Sequence, residues 1–273
     1  SRSIYKYALA GVVGKRGDVS GMEGFPNLGD TATALESYQR GVQLYEEIIA
    51  AEPENEKFRS GYATMLLYHG MLLNSTGHSA RSVENGRRSI SIFRSLTAAN
   101  PNNAKYETHM MSGLVFMRYP LVEEKLFDEA LANANLVIET MVKQVKSDPK
   151  NAFNRRSLGV AYNALGRIQT AMKDGNSAVA NHEKALLIAK EIAENDNESG
   201  ENNRDVALTR EFMAEAQSLK GDCSAAIVNY REALKVHNES EADASATYAG
   251  LATCLATTGK TTEAVEAIRN AIS

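Results

Sequence analysis

Three short helix-breaking segments, AEPEN at 51–55, ANPNN at 99–103 and SDPKN at 147–151, recur at one fixed interval along this chain. Pro53, Pro101 and Pro149 are separated by a constant step of 48 in sequence position, and Asn55, Asn103 and Asn151 keep the same step. A fixed period of this size marks one supersecondary unit repeated along the chain, each copy burying its apolar face against its neighbours. The frame reaches beyond the breakers. Steps of 48 from Ala34 land on Ser82, Ala130, Ala178 and Ala226, all of them small. A second row, Gly70, Arg118, Gly166 and Ala214, is small at three of its four positions, and a third, Leu66, Leu114, Tyr162 and Arg210, is bulky and mostly apolar. Small side chains where backbones approach, with large ones filling the space between, describe two packed helices per unit.

Between breakers the hydrophobic period is that of a helix. In 125–146 the apolar residues include Leu126, Phe127, Ala130, Leu131, Ala134, Val137, Ile138, Met141, Val142 and Val145, the i, i+3, i+4 stripe of an amphipathic helix. Segments 30–51, 56–76, 79–99, 175–194, 222–237 and 261–272 follow the same pattern. Asp30 with Thr31, and Asn176 with Ser177, are candidate N-caps. No segment alternates as a strand does. The least regular stretch is 17–30, GDVSGMEGFPNLGD, whose glycines and proline predict a loop, with Val19, Met22 and Phe25 tucked onto the first helix pair. The final interval, Ala226 to Ala264, shortens to a step of 38, as expected of a terminal unit with an atypical outer face.

Composition narrows the function. The 273 residues are 43% hydrophobic, enough for a real core, and 30 basic against 34 acidic residues give a net charge of −4. Nucleic-acid binding would call for a basic excess, and none is present. No run approaches the ~18 apolar residues of a membrane span, so no membrane insertion is expected. SRSIYKYALAGVVG at the start is too polar for a signal peptide and reads as helix already under way, which suggests a fragment of a longer protein. Glycine-rich phosphate loops, the protein-kinase signatures, G-x-S-x-G and H-E-x-x-H are all absent. The five histidines, His69, His78, His109, His182 and His237, lack metal-ligand spacing and read as satisfied or solvated. The expectation is therefore no enzyme, no cofactor and no metal. Cys223 and Cys254 are two buried thiols or a disulfide pair, a choice the sequence leaves open.

The arrangement of small and large residues resembles the tetratricopeptide repeat. Tyr162, Leu165 and Gly166 match the first helix of that repeat. Gly221, Asp222, Ala226, Tyr230 and Ala233 match its turn and second helix, as do Gly29, Asp30, Ala34 and Tyr38, and also Phe127, Asp128, Glu129 and Ala130. The match is weak where Ser82, Gly86 and Ser89 replace Ala, Tyr and Ala. The family repeat is about 34 residues; the longer period here predicts helices near 22 residues, roughly 33 Å long. The resemblance implies an all-α, right-handed superhelical solenoid of antiparallel helix pairs, about six in number. Residues 1–29 would hold the first helix and irregular loop of an interrupted first repeat, continuous in one domain with the solenoid of 30–273. Gly17-Asp18-Val19, Asn27-Leu28-Gly29-Asp30-Thr31 and Ala34-Leu35-Glu36-Ser37-Tyr38 also resemble the tetratricopeptide region that follows the catalytic domain of some bacterial Ser/Thr kinases. That likeness implies a docking or sensing arm of a signalling protein.

In such a solenoid the first helices line a concave groove. The frame assigns to it Thr64, Leu67, Met71 and Asn74, then Ser112, Val115, Tyr119 and Val122, then Val160, Asn163, Arg167 and Thr170, then Leu208, Glu211, Glu215 and Ser218. The row grades from apolar to acidic and suits a protein or peptide segment with apolar and basic parts. A small molecule or glycan inside the superhelix is the alternative occupant, and self-association through terminal faces is a third role. The lysines of a carboxylate clamp are missing from these rows. A cytoplasmic place is favoured, with the extracytoplasmic sensor side of a membrane protein as the other option.

Overall fold

The computed structural model describes residues 2–22, 26–196, 199–239 and 244–272. Among those residues thirteen helices follow one another, with no strand. They are α1 (Arg2–Gly21), α2 (Thr31–Ala51), α3 (Glu56–Ser75), α4 (Ser79–Ala99), α5 (Ala104–Phe116), α6 (Arg118–Glu123), α7 (Phe127–Ser147), α8 (Ala152–Ala171), α9 (Gly175–Asn195), α10 (Gly200–Leu219), α11 (Cys223–Glu239), α12 (Ser245–Thr257) and α13 (Thr261–Ile272). They pack in consecutive pairs, and the chain forms two compact units, Ser1–Asn133 and Ala134–Ser273, whose division falls inside α7.

The sequence period has a backbone cause. Positive φ occurs at Gly29, Gly77, Lys125, Lys173 and Gly221, which keep the same constant step as the prolines, and again at Gly259 in the shortened final unit. Each of these residues lies in the turn just before the second helix of a pair, and all but Gly29 follow the first helix within two residues. Beyond it, the N–H of His78, Leu126, Asp174 and Asp222 donates back to the carbonyl of Leu73, Leu121, Gln169 and Gln217 at 2.8–2.9 Å. That closure satisfies carbonyls a helix end leaves open. Asp30, Asp174 and Asp222 then cap the second helices, accepting from Thr33, Ser177 and Ala225 N–H. The cap of α9 is thus Asp174 rather than Asn176 or Ser177, because the helix begins at Gly175.

The recurring asparagines cap first helices. Asn55, Asn103 and Asn151 accept from the N–H of Phe58, Lys105 and Asn154, and Ser199, the next position in the frame, accepts from Asn202. Helices α2, α3, α4, α7, α8, α9 and α10 each span 20 or 21 residues, close to the expected length.

Packing follows the small-residue rows. Ala34, Ser82, Ala130, Ala178 and Ala226 are all fully buried. Ser82 fits among alanines because its hydroxyl donates to Gly70 O at 2.7 Å, and Ser89 donates likewise to Ala63 O. A Cβ on Gly166 would lie 2.6 Å from the His182 ring, and one on Gly17 would lie 2.7 Å from Tyr38. Within the first unit the core joins Tyr38, Val42, Tyr45, Ile48, Phe58, Tyr62, Met65 and Leu66, with Phe93 and Leu96 beside Tyr106. Within the second unit Cys223, Ile227, Tyr230, Leu234, Leu251, Leu255 and Ala264 form a core. Cys223 and Cys254 are free, buried thiols.

Two local expectations are corrected. The helix of α1 continues through Gly17 to Gly21, since those glycines let it approach the Tyr38 ring and the backbone at Asp30 and Thr31 closely. The loop therefore starts after Gly21 and turns back at once, Leu28 N–H donating to Val19 O and Asp30 N–H to Ser20 O. Met22 is buried as expected, Val19 is exposed, and Phe25 lies outside the described residues. The first helix of the third pair is split at Met117 into α5 and α6, because Pro120 has no N–H to give and its ring crowds the turn before it.

Candidate functional site

In the first unit, α1, α3 and α5 lie side by side and their inward faces border a groove of about 940 Å³. From α1 come Tyr7, Gly11, Gly14 and Asp18, and from α3 Lys57, Gly61, Thr64 and Tyr68; from α5 come Lys105 and His109, one repeat step beyond Lys57 and Gly61. Tyr38, Tyr45, Met65 and Tyr106 close the floor, and Asn55, Asn103, Glu56, Ser60 and Lys15 complete the wall. Glycine makes the space. A Cβ on Gly11 would meet nothing within 4 Å, so every side-chain atom absent there is groove volume. Gly61 is required for another reason: a Cβ would come within 2.5 Å of the Tyr45 hydroxyl.

Aromatic rings of the groove pack against one another. Tyr7 packs edge-on to Tyr45 at 6.0 Å and against Phe58 at 5.3 Å, and Tyr38 meets Tyr68 edge-on at 6.4 Å. Tyr38 donates its hydroxyl proton to Asp18 Oδ1 at 2.5 Å, and Lys15 Nζ donates to Asp18 Oδ2 at 2.8 Å, so this buried carboxylate is held from both sides. Burial and then that bond push the Tyr38 phenol well above its usual range, and burial does the same for Tyr45. Glu56 accepts from Asn100 Nδ2 at 2.8 Å. Lys57 Nζ stands 4.8 Å from the Tyr7 ring centroid. His109 stacks on Phe93 at 5.1 Å, and burial, then Lys105, lower its pKa.

Of the residues the sequence assigned to a groove, Thr64 lines this one. Leu67 does not face open space: it is 4% exposed and packs toward Gly113, which corrects its assignment. Met71 is part-buried against the first-unit core, and the Asn74 side-chain oxygen is buried without a hydrogen-bond partner. Val115 and Tyr119 are exposed, the Arg118 guanidinium lying 4.0 Å from the Tyr119 centroid. In the second unit, Asn163 bridges His182 Nδ1 at 2.9 Å and Thr209 at 2.8 Å. Arg167 covers the Phe212 ring at 4.6 Å, Glu211 bonds His237 Nε2 at 3.1 Å, and Glu215 is exposed. Arg156 is engaged there by Glu201 and Asp205, while Phe153, Val160 and Leu208 project into solvent. The first-unit groove sits one to two turns nearer the helix N-termini than expected. Its signal was present in Gly11, Gly14 and Gly61, and in Lys57 and Lys105, which occupy the same place in successive repeats.

Among the described residues no group of three or more His, Cys, Asp or Glu is placed to hold a metal, and no helix is long and apolar enough to cross a membrane.

No protein-family model matches the chain, and no curated protein does. Solved structures do. BtubC (BKLC) from P. vanneervenii superposes with a TM-score of 0.61 at 14% identity, over 88% of this chain and 89% of that one. The apo form of RapI gives 0.60 at 12% identity over 100% and 97%, and the TPR-like repeats of a kinesin light chain from Podosopora anserina give 0.57 at 14% over 88% and 96%. A Rap protein complexed with Competence and Sporulation Factor gives 0.59 at 12% over 99% and 76%. These likenesses show the fold: helix-pair repeats of the tetratricopeptide type.

Proposed function

We propose that the chain is a protein-interaction module that holds a segment of a partner in the groove of its first unit. The observation that carries this reading is the groove itself, walled by three successive first helices and left open by glycine where side chains would fill it. Concave, aromatic-lined surfaces with a few placed polar groups are what such partners occupy. A Rap protein of similar fold is solved with Competence and Sporulation Factor bound, which supports the same use. Affinity capture from a lysate of the source organism, run with the native chain and with Gly11→Phe, tests it. A Cβ at that exposed helical site meets nothing within 4 Å and the rest of the ring extends into the groove, so specific partners should be lost, with an unchanged melting temperature as the check that the fold is kept. Equal capture by both proteins contradicts the reading. The finer reading is a non-catalytic docking or sensing arm of a bacterial signalling protein such as a Ser/Thr kinase, resting on the wording of residues 17–38. The coding sequence upstream of Ser1 tests that, and one without a kinase domain counts against it.

A second reading is favoured by the groove volume, which falls in the range of small-molecule sites. Under it a metabolite or glycan binds, and a thermal-shift screen should give a large shift with one such compound and none with peptides.

A further inference from the structure

We propose that the first-unit groove selects an acidic, extended segment of its partner, whose carboxylates are read by Lys57 and Lys105; this rests on the peptide-holding function above. The charge balance inside the groove carries the argument. Of its two carboxylates, Asp18 is matched by Lys15 and accepts from Tyr38, while Glu56 accepts from the neutral amide of Asn100 and keeps its charge, so three lysines face two carboxylates. Lys15 is itself taken by Asp18. Lys57 and Lys105 are the cations that remain. Both are exposed, both line the groove, and among the described residues neither is paired with a carboxylate; Lys57 has only the face of Tyr7 at 4.8 Å. His109 beside them carries no negative charge in either protonation state and cannot compensate them. A basic segment would add to this net positive charge, whereas an acidic one would offset it.

The spacing defines the segment further. Lys57 and Lys105 occupy equivalent places on α3 and α5, which wall the same groove and touch each other directly. An extended chain rises about 3.3 Å per residue, so side chains two apart share a face about 6.6 Å from one another. Two flexible lysines span that interval, and an acidic-x-acidic pattern suits it. The open floor at Gly11 lets the segment's backbone lie close to α1. The next place in the lysine row is Phe153, so the cationic pair is a property of the first unit.

The test is an array of short random-sequence peptides probed with the full chain, with Lys57→Ala/Lys105→Ala, with Lys57→Arg/Lys105→Arg and with Gly11→Phe, each checked for an unchanged melting temperature. The expected result is enrichment of acidic-x-acidic peptides, a loss of about tenfold or more in the double alanine variant, retention in the double arginine variant, and weakening in high salt. Selection of neutral or basic peptides that Gly11→Phe abolishes overturns the charge inference and leaves the groove reading standing. Binding that Gly11→Phe does not touch, or no peptide binding by the native chain, overturns the groove reading and this inference with it.

Discussion

Gly29, Gly77 and Gly221 hold left-handed backbone, and two lysines do the same work at strain, Lys125 at φ 57° and Lys173 at φ 66°. Left-handed backbone costs a residue with a Cβ about 1 kcal/mol relative to glycine. Gly221→Ala should therefore lower stability by about 1 kcal/mol, and Lys173→Gly should raise it by a few tenths to about 1, both read from chemical denaturation. Histidine sets the pH response. Burial pushes His69 and His182 down from 6.5 to about 4, so both stay neutral in the folded chain where the unfolded chain would protonate them. The unfolded state then binds more protons between those values. Stability should be full above about pH 6.5 and fall as pH drops toward 4, on the order of 2–3 kcal/mol for each histidine. Melting curves across that window check it, and His69→Gln/His182→Gln should flatten them.

Helices were the most legible level of this chain, for reasons particular residues make plain. Pro53, Pro101 and Pro149 sit in the turns between units, and the asparagines two positions on supply the caps, so breaker and start signal arrive together. Ala34 through Ala226 mark buried crossings because nothing larger than Ser82 fits there. Ala130→Trp should therefore overpack and cost about 1–3 kcal/mol, seen as a lowered melting temperature. What the sequence hid were features decided by contact across helices. Gly17 and Gly21 look like loop residues, yet they are helical because Tyr38 and Thr31 press against them. Pro120 splits α5 from α6, a break that falls outside the repeat frame and leaves no trace in it. Leu67 is hidden for the same reason: it has the right period for an inward row, but its face is covered.

At the scale of the molecule, the first unit brings faces of three first helices together around open space, and the lining there carries more lysines than carboxylates. The central claim is that this space is where a partner segment sits. Amide hydrogen exchange on the full chain, with and without the tightest peptide from the array, tests it most directly. New protection is expected in α1, α3 and α5 around Gly11, Gly61 and His109, absent in Gly11→Phe. Protection confined to the second helices, or to Ala134–Ser273 alone, would contradict it.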